Sequence, residues 1–160
     1  MVPSEFGLCE PAFAGGDTRR NEIFLEKMTC YRKYPNIAGT IYFCLNDYRT
    51  QMGEEGEGKL RQRVHGSTDL CGNPKPSYHT VARECAPVIL EKEGTKVKVT
   101  CRDNLPCYTV KGYQLVAVNG EKREQISIPT LLPGMSWTTE VSEETAVQIV
   151  RANGEIVTQK

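Results

Sequence analysis

Apolar residues recur with helical spacing in the segment that follows an early Gly-Gly pair. Phe24, Met28 and Tyr31 stand at positions i, i+4 and i+7, so they share one face of a helix. Asp17 is a residue that can cap a helix, and Pro35 cannot continue one. The pattern predicts an amphipathic helix of about four turns.

A nearly continuous apolar run follows at residues 36–48 and is rich in Ile, Tyr and Phe. Such a run is typical of a parallel strand that is buried on both faces, so strand, helix and strand predict a βαβ unit. A polar, glycine-rich loop comes next. Pro76 then favours the start of a short helix that ends before Pro87.

From Val88 onward the apolar positions alternate with polar ones. Short strands are predicted at 96–101, 113–118 and 125–128, and 145–159 is predicted to be a hairpin. Asn153-Gly154 fits a type I′ turn, and Asn119-Gly120 offers a second one. Several short strands within about 70 residues predict a small β-sandwich of the immunoglobulin-like kind.

Composition narrows the classes of partner. The 160 residues carry 20 Lys and Arg against 20 Asp and Glu, so no overall field attracts nucleic acid or an anionic membrane. The longest apolar runs are too short to cross a bilayer. The seven cysteines include no C-x-x-C pair, and no ligand cluster stands out, so we predict no metal site and no organic cofactor. The compartment, cytoplasm or periplasm, stays open, and so does assembly into a homo-oligomer.

Glu5 is the first candidate for chemistry. It stands where a buried strand ends, and ligands meet α/β proteins at the carboxyl ends of parallel strands. The competing interpretation, judged from position alone, is a solvated surface charge.

The motif around Glu5 resembles a known family when the later segments are included. The stretches "PSEFG", "IAGTIYFCLNDYRTQMGEEGEG" and "RVHGSTDLCGNPKPSYH" are similar to the closing part of the catalytic domain of family 2 glycoside hydrolases, the β-galactosidases and β-glucuronidases. The resemblance implies an α/β part, residues 1–86, formed by the last strands and helices of a (β/α)8 TIM barrel. It implies an all-β immunoglobulin-like domain at 87–160.

The resemblance also implies a retaining hydrolysis of terminal β-linked sugars, with Glu5 as the nucleophile. Retaining enzymes need a second carboxyl group about 5–5.5 Å away as acid/base. In the family this group is a Glu in an Asn-Glu pair, but the only such pair here, Asn21-Glu22, lies in the predicted helix. We therefore expect the fragment to need the remainder of the barrel, an upstream chain, for efficient turnover of a carbohydrate substrate.

The resemblance places further substrate contacts at Phe43, Asn46, Asp47 and His65. An aromatic face suits the C–H surface of a sugar, and carboxylates or amides suit its hydroxyl groups. The alternative is that Phe43 is a core aromatic, that Asn46-Asp47 is a strand-ending turn, and that His65 is structural. In the β-glucuronidase branch of the family an Asn-x-Lys pair in this loop recognises the sugar carboxylate; the chain lacks that pair here, which favours a neutral sugar, by default galactose.

A rival function belongs to a different class. The terminal sandwich would then be a non-catalytic carbohydrate-binding or structural module, with Glu5 vestigial. Exposed, coplanar rings at Trp137, Tyr108 and Tyr113 would support sugar binding by that module, whereas buried rings would indicate ordinary core.

Overall fold

The chain divides into two compact units, Met1–Glu84 and Cys85–Lys160. The computed structural model describes residues 1–7, 16–54 and 61–160, with only the backbone at 52–54. The domains predicted from sequence were 1–86 and 87–160. Each unit is described by itself below.

The first unit contains two helices. Both were predicted from the sequence, and the structure confirms them. Helix α1 spans Gly16–Tyr31 and buries Arg20, Phe24 and Met28, which recur at four-residue intervals. Helix α2 spans Pro76–Cys85 and begins with the predicted proline. Asp17, expected to cap its own helix, instead accepts hydrogen bonds from the backbone N–H (2.8 Å) and hydroxyl (2.6 Å) of Ser77 in the first turn of α2.

The predicted partial TIM barrel is wrong. In the described part of the first unit the only sheet is a two-stranded antiparallel one, formed by β1 (Tyr48–Glu54) and β2 (Gln62–Arg63). The run 36–48 is irregular, with bends at Phe43 and Leu45, and before Tyr48 its bridges to other segments are isolated parallel ones, Phe6 to Tyr42 and Asn46 to Thr68. Strand β1 instead begins at the end of that run and continues into the segment predicted as loop.

Exposure gives the physical reason for this correction. A buried parallel strand needs neighbouring strands on both edges and helices on both faces. Here Ile41 is 57% exposed and Leu45 is 59% exposed, so the apolar run lacks the cover that a barrel would supply. Among the described residues strands outnumber helices, and the sheets are antiparallel, which is not the pattern of a repeated βαβ unit.

The second unit consists of seven strands in two antiparallel sheets. One sheet has the order β3-β4-β7 and the other has the order β6-β5-β8-β9. The strands are β3 (Val88–Glu93), β4 (Lys96–Cys101), β5 (Gln114–Asn119), β6 (Lys122–Ser127), β7 (Ser136–Glu140), β8 (Ala146–Val150) and β9 (Ile156–Gln159). The sandwich expected for this part is compatible with these sheets.

Alternation along these strands forms the core of the second unit. Val97 and Val99 on β4 point inward together with Leu115 on β5 and Ile149 on β8, and all four are fully buried. On β4 the neighbouring Lys96 and Lys98 are exposed, as the period of two requires, whereas on β5 and β8 the adjacent Val116 and Val150 are buried as well. The core therefore follows from the apolar and polar alternation on β4, while β5 and β8 contribute consecutive apolar residues.

The two Asn-Gly turns differ from the prediction. A type I′ turn needs positive φ at both central residues. Only Gly154 (φ 83°) and Gly120 (φ 58°) have it, while Asn153 and Asn119 do not. In the β8–β9 loop Gly154 donates to the carbonyl oxygen of Arg151 at 2.9 Å. This fits a type I turn followed by a left-handed glycine.

Candidate functional site

Glu5 adopts a backbone conformation that residues other than glycine rarely adopt. Its φ is 53°, in the left-handed region, where a residue with a Cβ is strained by about 1–2 kcal/mol. The side chain is exposed and makes no hydrogen bond or ion pair with the described residues. A strained residue that presents an uncommitted carboxylate is a candidate for function.

The residues next to Glu5 fix its position. The N–H of Phe6 donates to the carbonyl oxygen of Ile41 at 3.3 Å, and the N–H of Phe43 donates to the carbonyl oxygen of Phe6 at 3.0 Å. A Cβ on Gly7 would collide with the carbonyl oxygen of Phe43. The backbone that carries Glu5 therefore lies directly against the backbone that carries Phe43.

A cluster of rings anchors this arrangement to helix α1. The buried Phe6 ring stacks on Phe24, with centroids 5.8 Å apart, and meets Tyr31 edge-on at 5.4 Å. Tyr42 contacts both Phe6 (5.8 Å) and Phe24 (5.5 Å). These contacts make Phe6 a packing residue and leave its neighbour Glu5 at the surface.

A second pair of segments lies side by side at residues 44–47 and 65–68. The N–H of Thr68 donates to the carbonyl oxygen of Leu45 at 2.8 Å, and the N–H of Asp47 donates to the carbonyl oxygen of Thr68 at 3.0 Å. A Cβ on Gly66 would collide with the backbone of Asn46 and Asp47. Close approach at glycine therefore brings the segment of His65 against that of Asp47.

Asp47 is buried, and its carboxylate is occupied by protein partners. Its Oδ1 accepts hydrogen bonds from the N–H of Gly66 at 2.8 Å and from Nζ of Lys75 at 2.7 Å. Its Oδ2 accepts a bond of 3.2 Å from Nε2 of Gln62. Because a buried carboxylate needs such compensation, these contacts assign Asp47 to holding the loop.

His65 is buried, and the carbonyl groups of the residues on either side of it both accept hydrogen bonds from Arg20. Nη2 of Arg20 donates to the carbonyl oxygen of Val64 at 2.5 Å, and Nη1 donates to that of Gly66. The imidazole meets Phe43 edge-on with a centroid distance of 5.9 Å, and meets Tyr48 at 5.4 Å. The three rings form what we call the aromatic trio: Phe43, Tyr48 and His65.

Asn46 lies beside a small cavity rather than in the aromatic trio. This cavity of about 280 Å³ is lined by Leu45, Asn46, Thr68, Gly72, Pro74 and Tyr78. The structure thus brings Phe43 and His65 into contact. It places Asp47 in a hydrogen bond with Gly66, the residue after His65, and Asn46 at a separate cavity.

Ser67 and Asp69, which stand near His65 in sequence, have structural contacts. The Ser67 hydroxyl donates to the carbonyl oxygen of Leu45 at 3.3 Å. The Asp69 carboxylate accepts bonds from the side chain and backbone N–H of Asn73 and from the N–H of Cys71, each at 2.8 Å. These bonds, that of the Asn73 side chain foremost, lower the pKa of Asp69.

Sequence reasoning missed three residues that build the site: Arg20, Lys75 and Tyr48. Arg20 shares the buried face of α1 with Phe24 and Met28, so its place in that series was the signal available. Tyr48 continues the apolar run that contains Phe43. Lys75 gave no signal, because its buried partner is 28 positions away in sequence.

The rings named for the rival function do not form an exposed platform. Trp137 is partly buried and packs against the core of the second unit, and Tyr113 is buried. Tyr108 is exposed, with its hydroxyl 3.4 Å from that of Tyr113. The second unit also has an open, mixed-charge cleft of about 810 Å³ at the β5–β6 hairpin, which includes Lys122, Glu124 and Glu140.

Two further observations concern metals and membranes. Within the described residues no group of three or more His, Cys, Asp or Glu side chains is arranged to hold a metal ion. Neither described helix is both long and apolar enough to cross a bilayer.

Comparison with known proteins adds no family. No protein-family model matches the chain, and no curated protein matches it.

Proposed function

We propose that this chain contributes the nucleophile and part of the sugar-contacting surface of a retaining, β-galactosidase-like glycoside hydrolase. The observation that carries the proposal is the state of Glu5: an exposed carboxylate, held at φ 53° on a backbone that hydrogen bonds to the segment of Phe43. The resemblance of the motifs around Glu5, Phe43 and His65 to family 2 glycoside hydrolases supports the same assignment.

The proposed reaction assigns one step to Glu5. Its carboxylate attacks the anomeric carbon of a terminal β-linked sugar, the aglycone oxygen leaves with a proton from an acid, and a glycosyl ester forms on Glu5. Water activated by the same group, now acting as a base, then hydrolyses the ester. Glu22 of the Asn-Glu pair lies in α1, so the proposal requires an acid/base from polypeptide outside these 160 residues.

The neighbouring residues have separate proposed roles. Phe43, half-buried at the edge of the aromatic trio, would pack against the C–H face of a neutral sugar, and Asn46 would donate to or accept from its hydroxyl groups. His65 would support the ring of Phe43 through its edge-on contact within the aromatic trio. Asp47, whose carboxylate already binds Gly66 and Lys75, would be a positioning residue rather than a sugar ligand.

The test uses the polypeptide translated in frame through this sequence from the coding DNA upstream. It is incubated with a 2-deoxy-2-fluoro-β-galactosyl fluoride, which accumulates the glycosyl ester, and the labelled peptide is found by mass spectrometry. We expect the label on Glu5, its loss in Glu5→Gln, and its retention in the control Glu22→Gln.

Two outcomes would overturn the proposal. A label on a different carboxylate in an active protein would move the nucleophile away from Glu5. A stop codon directly upstream, with neither turnover nor labelling of the 160-residue chain, would remove the hydrolase function from this polypeptide.

A further inference from the structure

The loop after β4 returns over a buried cysteine and carries a second cysteine at its surface. Cys101 is the last residue of β4, and its side chain is fully buried in the core of the second unit. Its Sγ lies 3.4 Å from the carbonyl oxygen of Tyr108, to which the thiol donates. Cys107, the residue before Tyr108, is exposed, and both cysteines are free thiols.

The two thiols have different environments. Burial raises the pKa of the Cys101 thiol, and the nearby Cys107 raises it further. Because Cys107 directly precedes Tyr108, the 3.4 Å contact of the Cys101 Sγ with the Tyr108 carbonyl oxygen brings this part of the loop backbone against the buried thiol. An exposed thiol reacts first with an oxidant, whereas a buried one with a raised pKa is slow to react with reagents from solvent.

We propose that Cys101 and Cys107 are a modification site, at which an attack on Cys107 by a small disulfide is resolved into an intramolecular Cys101–Cys107 disulfide. In the first step the Cys107 thiolate attacks a glutathione-type disulfide, forming a mixed disulfide and releasing one glutathione thiolate. In the second step the Cys101 thiolate attacks Sγ of Cys107 and releases the second glutathione. The small disulfide is reduced by two electrons, and the cysteine pair is oxidised by two.

The position of the pair predicts how the second step depends on pH. The thiolate is the attacking species, so a raised pKa leaves little of it at neutral pH. The thiolate fraction grows about tenfold for each pH unit below the pKa. Closure of the disulfide should therefore accelerate as pH rises.

The experiment treats the folded 160-residue chain with oxidised glutathione and maps its peptides without reduction. We expect a peptide in which residues 101 and 107 are joined, with the loss of two hydrogen atoms. Cys107→Ser should abolish the joined peptide, and Cys101→Ala should trap glutathione on Cys107. Cys71→Ser, which removes another exposed thiol, should leave the joined peptide unchanged.

Other results would overturn the proposal. One is glutathione that accumulates on Cys107 in the unchanged chain without closure at alkaline pH. Another is a joined peptide that forms only in denaturant, which would show that the folded loop does not bring the thiols together. Because Cys107 is exposed, Cys107→Ser should fold normally, and its circular dichroism spectrum should match that of the unchanged chain. If the spectrum differs, the assay is repeated with Cys107→Ala.

Discussion

Lys75 and Asp47 form a largely buried ion pair across 28 residues of chain, with Nζ 2.7 Å from Oδ1. The same lysine donates to the carbonyl oxygen of Gly66 at 2.9 Å, and the same carboxylate accepts from the N–H of Gly66. The pair therefore binds both the N–H and the carbonyl oxygen of Gly66, the residue after His65. This contact links the start of α2 to the aromatic trio.

Removing one member of this pair should be costly. Lys75→Met leaves the Asp47 carboxylate, whose side chain is 2% exposed, buried without its cation. Breaking a buried pair on one side typically destabilises a protein by about 3–5 kcal/mol. Because the lysine is 17% exposed, we expect a value near the lower end, measured by urea unfolding of the 160-residue chain.

A surface pair provides the control for Lys75→Met. Lys98 and Glu91 lie 3.4 Å apart, with both side chains about half exposed. Lys98→Met should change the free energy of unfolding by less than about 1 kcal/mol, because water already solvates such charges. Equal effects of the two substitutions would contradict the assignment of Asp47 as a buried, positioning carboxylate.

The two close-approach glycines should not tolerate a methyl group. In Gly7→Ala the Cβ meets the carbonyl oxygen of Phe43, and in Gly66→Ala it meets the backbone of Asn46 and Asp47. Backbone atoms cannot turn aside as a flexible side chain can, so each change should destabilise the first unit by at least the usual overpacking cost of about 1–3 kcal/mol.

Gly39 is the matched control for these two glycines. A Cβ there meets no atom of the described residues within 4 Å, and its φ is not positive. Gly39→Ala should leave stability unchanged or raise it by up to about 1 kcal/mol through the unfolded chain. Thermal unfolding of the three variants checks the ranking, and a Gly66→Ala variant as stable as Gly39→Ala would refute the close packing at His65.

The turn around Asp69 should loosen in acid. Hydrogen bonds from Asn73, and also from Cys71, lower the pKa of the Asp69 carboxyl in the folded chain. A lowered pKa contributes stability that is present above the unfolded value of about 3.9 and is lost as pH falls through the folded value. We expect the protection of the Cys71 and Asn73 amides against hydrogen exchange, relative to their intrinsic rates at each pH, to fall in that window.

Asp69→Asn tests whether this carboxylate is the cause. The amide keeps an oxygen acceptor but has no proton to gain, so exchange at Cys71 and Asn73 should lose its acid-dependent step. A step of unchanged size in Asp69→Asn would assign the transition to a different group.

Local patterns predicted the parts of the fold that depend on neighbours in sequence. Helices α1 and α2 followed from the spacing of Phe24 and Met28 and from Pro76, and the strands of the second unit followed from alternation around Val97 and Val99. The prediction of a barrel failed because an apolar run such as 36–48 has the same sequence pattern whether or not other strands cover it.

The candidate site was predictable only residue by residue. Phe43 and His65 were singled out from motifs, and their rings are in contact. The partner of Asp47 was not foreseen, because the pairing with Lys75 arises from how distant segments lie together. The left-handed φ of Glu5 has no sequence signature, since left-handed positions usually carry glycine or asparagine.

Because the backbone at Glu5 is strained, replacing this residue should affect stability and function in different directions. Glycine adopts φ near 53° without a Cβ clash, which releases about 1–2 kcal/mol, and its larger freedom in the unfolded chain offsets about 0.5–1 kcal/mol. Glu5→Gly should therefore be as stable as the unchanged chain or up to about 1.5 kcal/mol more stable. It should nevertheless lose glycosyl labelling completely, because the proposed nucleophile is gone.

Arg61 is the control for Glu5→Gly, because it is exposed and has the same backbone conformation, with φ 57°. Arg61→Gly should relieve similar strain and keep the labelling. Glu5→Gln should keep the strain and lose the labelling, so the three variants separate the two effects. If Glu5→Gly lowered the free energy of unfolding by more than about 1 kcal/mol, the exposed carboxylate would have a structural role, and the reason for regarding Glu5 as held for chemistry would disappear.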